Sequence, residues 1–252
     1  LKTQPLSNRW FLKLSQTNSG PIRLFCLPYA GGGASIYRPW SRLMSDQVEI
    51  WAIQLPGREN RLKEEAWVYL PYLVDELAER FDAFLDRPFA LFGHSMGALL
   101  SYELAHKLRQ SYGMSPVHLF AAGHRAPGRP DVRPPIHHLG QAEFLDWLRR
   151  LGGTPKEVFQ HTELLQPLLT TLRADLQLCE THIHTPRRPL ECPITAMGGH
   201  EDPYVAEADI EAWQEMTTGP FEMRMFPGNH FFLHNHLSNI GQIVHQRLLD
   251  LA

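Results

Sequence analysis

The sequence predicts an α/β protein with a mostly parallel sheet. Three observations carry that prediction. Short apolar runs alternate with longer amphipathic ones along most of the chain, as strands and their crossover helices do. Most of the short runs are apolar almost without interruption, the pattern of parallel strands buried on both faces. A glycine-flanked serine sits where one such run gives way to a helical stripe.

Taken in order, the runs at 21–28 (PIRLFCLP), 48–56 (VEIWAIQLP), 88–92 (PFALF), 117–123 (VHLFAAG), 192–198 (CPITAMG) and 221–226 (FEMRMF) read as strands. Residues 10–14 add an edge strand. Leu73, Leu77, Phe81 and Phe84 recur at helical spacing within 69–85. Leu99, Leu100, Leu104 and Leu108 do the same within 96–108, and 209–216 and 235–251 complete the helices. The stretch 125–189 breaks this rhythm. It opens on HRAPGRPDVRPP, which is loop chemistry, and then carries two helical stripes. The first holds Phe144, Leu145, Trp147, Leu148 and Leu151. The second holds Leu164, Leu165, Leu168, Leu169, Leu172 and Leu176. A strand-to-strand crossover needs only about a dozen residues. We read 125–189 as a helical lid insertion with an apolar underside, within one domain spanning 1–252; a larger scaffold is the alternative.

Composition supports a globular chain and narrows its partners. Of 252 residues, 43% are hydrophobic and 20% charged, enough for a sizeable core. The net charge of −3 argues against general nucleic-acid binding. No run approaches the ~18 apolar residues of a membrane span, and no secretory pattern opens the chain. Three scattered cysteines make neither a disulfide framework nor a zinc cluster, so a reducing cytoplasm is expected. Cys26, mid-strand, reads as a small buried apolar residue.

The chemistry centres on Gly93-His94-Ser95-Met96-Gly97. It follows the strand PFALF and opens a helix, the strand–turn–helix context of a G-x-S-x-G nucleophile elbow. Such a turn exposes the Ser95 hydroxyl and leaves the Met96 N–H at a helix N-terminus, aimed at developing negative charge. Ala30-Gly31-Gly32-Gly33, at the end of an earlier strand, can supply a second oxyanion donor. A phosphate cradle is the rival reading there. However, neither G-x-x-x-x-G-K-[ST] nor a G-x-G-x-x-G fingerprint occurs at that turn.

A serine nucleophile needs a base, and the base needs an orienting acid. In an elbow enzyme the chain order is Ser, acid, His, each beyond a strand end. Asp202 and His230 meet that requirement after 192–198 and 221–226. Glu201 is the rival acid, but Asp before Pro203 suits a fixed turn better. His234 and His236 are rival bases, placed on or past the start of the next helix. A metal site made of His230, His234 and His236 is a further alternative, although HFFLH lacks the Glu of H-E-x-x-H.

Five motifs in this order, LPYAGGG, LPGRE, GHSMGALLSYELA, GGHEDPYV and PGNHFFL, resemble type II thioesterases. These are stand-alone α/β-hydrolases that serve polyketide and nonribosomal peptide synthetases, and the medium-chain fatty-acyl thioesterases are similar. The resemblance runs nearly end to end. It implies an α/β-hydrolase fold with Ser95 as nucleophile, His230 as base and Asp202 as its partner. It also implies the Ala30 and Met96 amides as oxyanion hole, a mobile lid, no metal or organic cofactor, and a monomer. The implied substrate is an acyl group on the phosphopantetheine arm of an acyl- or peptidyl-carrier protein. Carrier proteins are acidic around that arm, and 125–190 holds nine Lys/Arg against seven Asp/Glu. A carboxylesterase or lipase acting on oxygen esters is the alternative function, since fold does not set substrate.

Overall fold

The computed structural model describes residues 9–251 except Asn18 and Val132; the side chains of Lys156, Thr162 and Leu164 also lie outside the described residues. Leu164 of the predicted stripe therefore has no described surroundings.

Among the described residues seven strands form one sheet in the order β1-β3-β2-β4-β5-β6-β7. They are β1 (Phe11–Lys13), β2 (Ile22–Leu27), β3 (Val48–Ile53), β4 (Phe89–His94), β5 (His118–Ala122), β6 (Ile194–Gly199) and β7 (Phe221–Phe226). Only β1 runs antiparallel, pairing β3 at the edge. Every run read as a strand in the sequence is one, within a few residues. The apolar runs are continuous because both sheet faces are covered. On β2, Ile22, Leu24 and Cys26 enter one core while Phe25 and Leu27 enter the other. β4 alternates likewise, with Leu91 on one face and Ala90 and Phe92 on the opposite face.

The helices are α1 (Leu70–Phe81), α2 (Met96–Tyr112), α3 (Gln141–Leu151), α4 (Thr162–Glu180), α5 (Glu207–Glu211), α6 (Phe232–Asn235) and α7 (Leu237–Leu249). α1 buries Leu70, Leu73, Val74, Leu77, Ala78 and Phe81, one stripe at helical spacing. Two features differ from the sequence expectation. A 3-10 helix, Ala34–Arg42, follows β2 and packs Tyr37 and Trp40 onto the sheet, despite Pro39 inside it. The helix expected at 209–216 starts earlier, at Glu207, and tightens into a 3-10 turn after Glu211. Its early start follows from Asp209, whose carboxylate accepts from the Ala206 N–H and satisfies one free donor of the first turn.

The segment between β5 and β6 carries α3 and α4. Phe144, Trp147 and Leu148 of α3 meet Leu165, Leu169 and Leu172 of α4 in a third apolar cluster, distinct from the two that flank the sheet. Ala30 packs against this cluster, so it closes over the turn that follows β2.

The sheet order also dictates where a site can form. The chain leaves β2 for β3 on one side and returns to β4 on the other. The crevice beyond the C-terminal ends of β2 and β4 is thus a topological switch point, where open α/β sheets bind ligands. The turns after β2 and β4 hold Ala30 and Ser95.

Candidate active site

β4 ends at His94, and Ser95 takes φ 53° and ψ −118° before α2 begins. A non-glycine residue rarely adopts a positive φ, and here two glycines enforce it. A Cβ on Gly93 would lie 2.0 Å from the Gly97 carbonyl oxygen, and one on Gly97 2.2 Å from the Leu27 carbonyl oxygen. Both neighbours are backbone, so neither can move aside cheaply. The Ser95 N–H donates to the Ala122 carbonyl at 2.7 Å, which fastens the turn to β5.

The loops after β6 and β7 bring two further groups to this turn. The His230 Nε2 lies 2.9 Å from the Ser95 Oγ. Its Nδ1–H donates to Asp202 Oδ2 at 2.7 Å. Asp202 Oδ1 accepts from the Tyr204 N–H at 2.8 Å, so both carboxylate oxygens are engaged and the side chain is only 1% exposed. That is the short Asp-headed turn that Asp202-Pro203 suggested. An imidazole so held presents Nε2 as an acceptor to the hydroxyl, and a carboxylate on Nδ1 favours the imidazolium that proton uptake creates.

The rivals are occupied elsewhere. Glu201 accepts from the Gly228 N–H and braces the β7 loop. His234 is hydrogen-bonded to the Tyr29 hydroxyl at 3.0 Å, and His236 donates to the Pro227 carbonyl at 2.9 Å. The three histidines considered as a metal set thus have separate partners. Cys26 is fully buried in β2, and burial pushes its thiol pKa well up.

Ala30 and Met96 line the same cavity as Ser95 and His230. α3 contributes Trp147 and Leu151 to the cavity, and α4 contributes Leu172 and Leu176. Four residues of the two apolar stripes thus line the cavity, while Phe144, Leu148, Leu165 and Leu169 pack between α3 and α4.

Several residues at the site were not singled out in the sequence. His94 is fully buried and its Nε2–H donates to the His230 carbonyl at 2.9 Å, pinning the backbone of the residue that meets Ser95. Burial holds the His94 pKa well below the ordinary histidine value, with the nearby His230 adding to the effect. His124, another cavity residue, is pushed down to about 3 by burial and then by Arg125. Both stay neutral near pH 7 and add no positive charge against a protonated His230.

Arg58, from the LPGRE motif, and Asp175 of α4 form a buried two-pronged ion pair at 2.7 and 2.8 Å. Asp175 Oδ2 also accepts from the Gly31 N–H at 2.7 Å, and Arg58 donates to the Gly32 carbonyl at 3.3 Å. Thr171, one turn earlier on α4, donates to the Gly57 carbonyl. α4 is thereby tied to the turn that holds Ala30. The only sequence trace of this clamp is a polar pair four apart, Thr171 and Asp175, beside a leucine stripe.

A model of the thioesterase domain matches residues 22–248.

The chain belongs to the thioesterase domain family.

This thioesterase is 46% identical over 250 residues to a protein named linear gramicidin dehydrogenase LgrE from Brevibacillus parabrevis, covering 98% of this chain and 95% of that protein. It is 44% identical over 227 residues to the gramicidin S biosynthesis protein GrsT of Aneurinibacillus migulanus, covering 90% and 89%. The solved type II thioesterase BorB from the borrelidin biosynthetic cluster matches it at a TM-score of 0.88 and 36% identity, covering 96% and 98%. The thioesterase is thus an α/β-hydrolase whose reaction is the hydrolysis of thioesters. The dehydrogenase in LgrE's name has no counterpart in the glycine-rich turn of this chain. A carboxylate, Asp175, already holds the Gly31 N–H, and Glu59 accepts from the Ser35 N–H at 3.2 Å. The Gly31 and Ser35 N–H groups of that turn are thus already taken by the chain's own carboxylates.

Proposed function

We propose that this thioesterase is a stand-alone editing enzyme that removes acyl groups from the phosphopantetheine arm of carrier proteins in nonribosomal peptide or polyketide synthesis. The observation that carries the catalytic part is the continuous Ser95–His230–Asp202 hydrogen-bond relay at the mouth of an apolar cavity. The names of the relatives from gramicidin and borrelidin biosynthesis support the pathway class.

In this reading Ser95 is the nucleophile. Its proton passes to His230 Nε2 as Oγ attacks the thioester carbonyl, and Asp202 stabilises the imidazolium. The oxyanion accepts from the Ala30 and Met96 N–H groups. The C–S bond breaks, the pantetheine sulfur leaves with the proton from His230, and Ser95 holds the acyl group as an ester. Water then gives a proton to His230 and attacks that ester; the acid departs and Ser95 is restored. All of these groups belong to the chain, so the scheme uses no cofactor.

The insertion at 125–189 acts as the lid, with α3 and α4 bounding the acyl cavity. The enzyme works in the cytoplasm as a monomer and docks its carrier near the lid. Among the described residues no helix is long and apolar enough to cross a membrane.

The test is mass spectrometry of a panel of acyl-carrier proteins before and after incubation, beside the matching acyl-CoA and p-nitrophenyl esters. Acyl-carrier should be favoured over acyl-CoA by at least about tenfold at low salt, which needs ~1.4 kcal/mol. Exposed charge pairs contribute about 0–1 kcal/mol each, so several must act together and the preference should shrink with salt. Equal kcat/KM for carrier and CoA at low salt would sink the editing role, and faster turnover of oxygen esters would make the enzyme an esterase.

A further inference from the structure

A cluster of polar side chains lies beside the middle of α2. Glu103 comes from α2. His182 and His184 come from the irregular segment that returns from α4 to β6. One ligand atom from each of these three residues lies within 4.8 Å of the other two.

Three observations set this cluster apart from an ordinary surface group. First, Glu103 Oε1, His182 Nε2, His184 Nδ1 and the neighbouring His106 Nε2 are buried atoms without a hydrogen-bond partner among the described residues. Unpartnered buried polar atoms are rare and costly, and although Glu103 Oε1 and His182 Nε2 can pair as ions when the imidazole is charged, one bound cation would satisfy them and His184 Nδ1 together. Second, His182 Nε2 and Glu103 Oε1 are 3.3 Å apart, yet are not aligned for a hydrogen bond. Two ligands on a tetrahedral zinc ion are separated by roughly that edge, given ~2.0–2.1 Å bonds. Third, the segment 182–184 turns Ile183 outward, 85% exposed, while both histidines face in. Residues i and i+2 of an extended chain share a side. The hydrophobic effect alone would favour the opposite choice.

The surrounding groups are arranged as ligand supports. Arg187 donates to Glu103 Oε2, which fixes the carboxylate and leaves Oε1 as its free donor atom. Arg109 donates to His106 Nδ1 at 3.1 Å, so the His106 proton sits on Nε2. His106 is thus a donor beside the cluster, suited to a metal-bound water and excluded as a ligand. Arg109 also holds the returning segment through the Arg188 and Pro189 carbonyls, at 2.8 and 2.9 Å.

We propose that Glu103, His182 and His184 form a divalent-cation site, with zinc the ion that suits two imidazoles and one carboxylate. The ion would clamp the exit of the lid segment onto the helix that begins at the elbow serine. The proposal is independent of the hydrolytic reading.

The test is titration of the chelator-stripped enzyme with Zn²⁺ against a chromogenic chelator, together with thermal unfolding. The wild-type chain should take up one equivalent of zinc and melt at a higher temperature with it. The double variant His182→Ala/His184→Ala should bind at least a hundredfold more weakly and lose the thermal shift. Should that variant fail to fold, His184→Gln, at a partly exposed position, should still weaken binding at least tenfold. Co²⁺ substitution should give the absorption of a tetrahedral centre in the wild type only. Failure of the wild type to bind stoichiometric zinc, or equal binding by the variants, overturns the site.

Discussion

Replacing Asp175 with alanine tests the tie between α4 and the Ala30 turn. The substitution removes three contacts at once: two to the Arg58 guanidinium and one to the Gly31 N–H. Both side chains of the pair are at most 5% exposed, so the stranded guanidinium has little water to turn to. Breaking a buried pair from one side costs about 3–5 kcal/mol. The Gly32 and Pro56 carbonyls still accept from Arg58, which points to the lower half of that range. For a chain of this size the loss corresponds to a Tm drop of roughly 6–16 °C, at 2–4 °C per kcal/mol. The kinetic effect should be selective. If the Ala30 N–H is an oxyanion donor, a loosened turn removes part of its contribution, for which the ceiling is about 10²–10³ in kcat. The assay is kcat and KM on an acyl-pantetheine thioester, at a temperature where the variant is folded, with chemical unfolding alongside. We expect kcat to fall at least tenfold with KM changed less than about threefold, and Asp175→Asn, which keeps an acceptor for Gly31, to recover part of kcat. A variant that loses stability but keeps full kcat would show that the ion pair only holds the lid helix and does not position the turn.

Ser95→Ala should lower kcat by ~10³-fold or more without loss of stability, His230→Ala should match it, and the double variant should lose little further, because the two act as one unit. Retention of a tenth of wild-type turnover by either single variant would refute the relay. Bulky substitutions at Leu172 or Leu176, both on the cavity wall, should shift acyl-length preference more than they slow the shortest substrate; an unchanged profile would make α4 mere scaffold. His118, 5% exposed and bonded to Thr195, has its pKa lowered to about 4 by burial and then by Arg247. The unfolded chain takes up this proton from about pH 6.5 downward and the folded chain does not, so its neutral burial stabilises fully above that pH and loses about 2 kcal/mol by pH 5. Denaturant titrations from pH 7 to 5 should show this slope added to that of the other buried neutral histidines, His94 and His124, and a His118→Gln variant should be shallower by about this amount; identical slopes would place the acid sensitivity elsewhere.

The strands were legible in the sequence because buried parallel strands are apolar on both faces, as in the runs PIRLFCLP and PFALF, whereas their order in the sheet was not. Ser95 was equally legible, since the steric demand of the elbow is local: Gly93 and Gly97 are there because no Cβ fits. Asp202 and His230 could be placed because strand ends in a parallel sheet share one edge, and Asp202-Pro203 marked its own turn. The His94 brace, the neutral His124 and the Arg58–Asp175 clamp were invisible by comparison. The brace and the clamp join residues far apart in the chain, 136 positions for His94 and His230 and 117 for Arg58 and Asp175, and His124 is neutral because the fold buries it. A lone histidine or arginine carries no sign of its partner. What burial does to its charge is decided only when the sheet order and the packing of α4 bring the two together, because desolvation and Coulomb terms depend on distance in space and not in sequence.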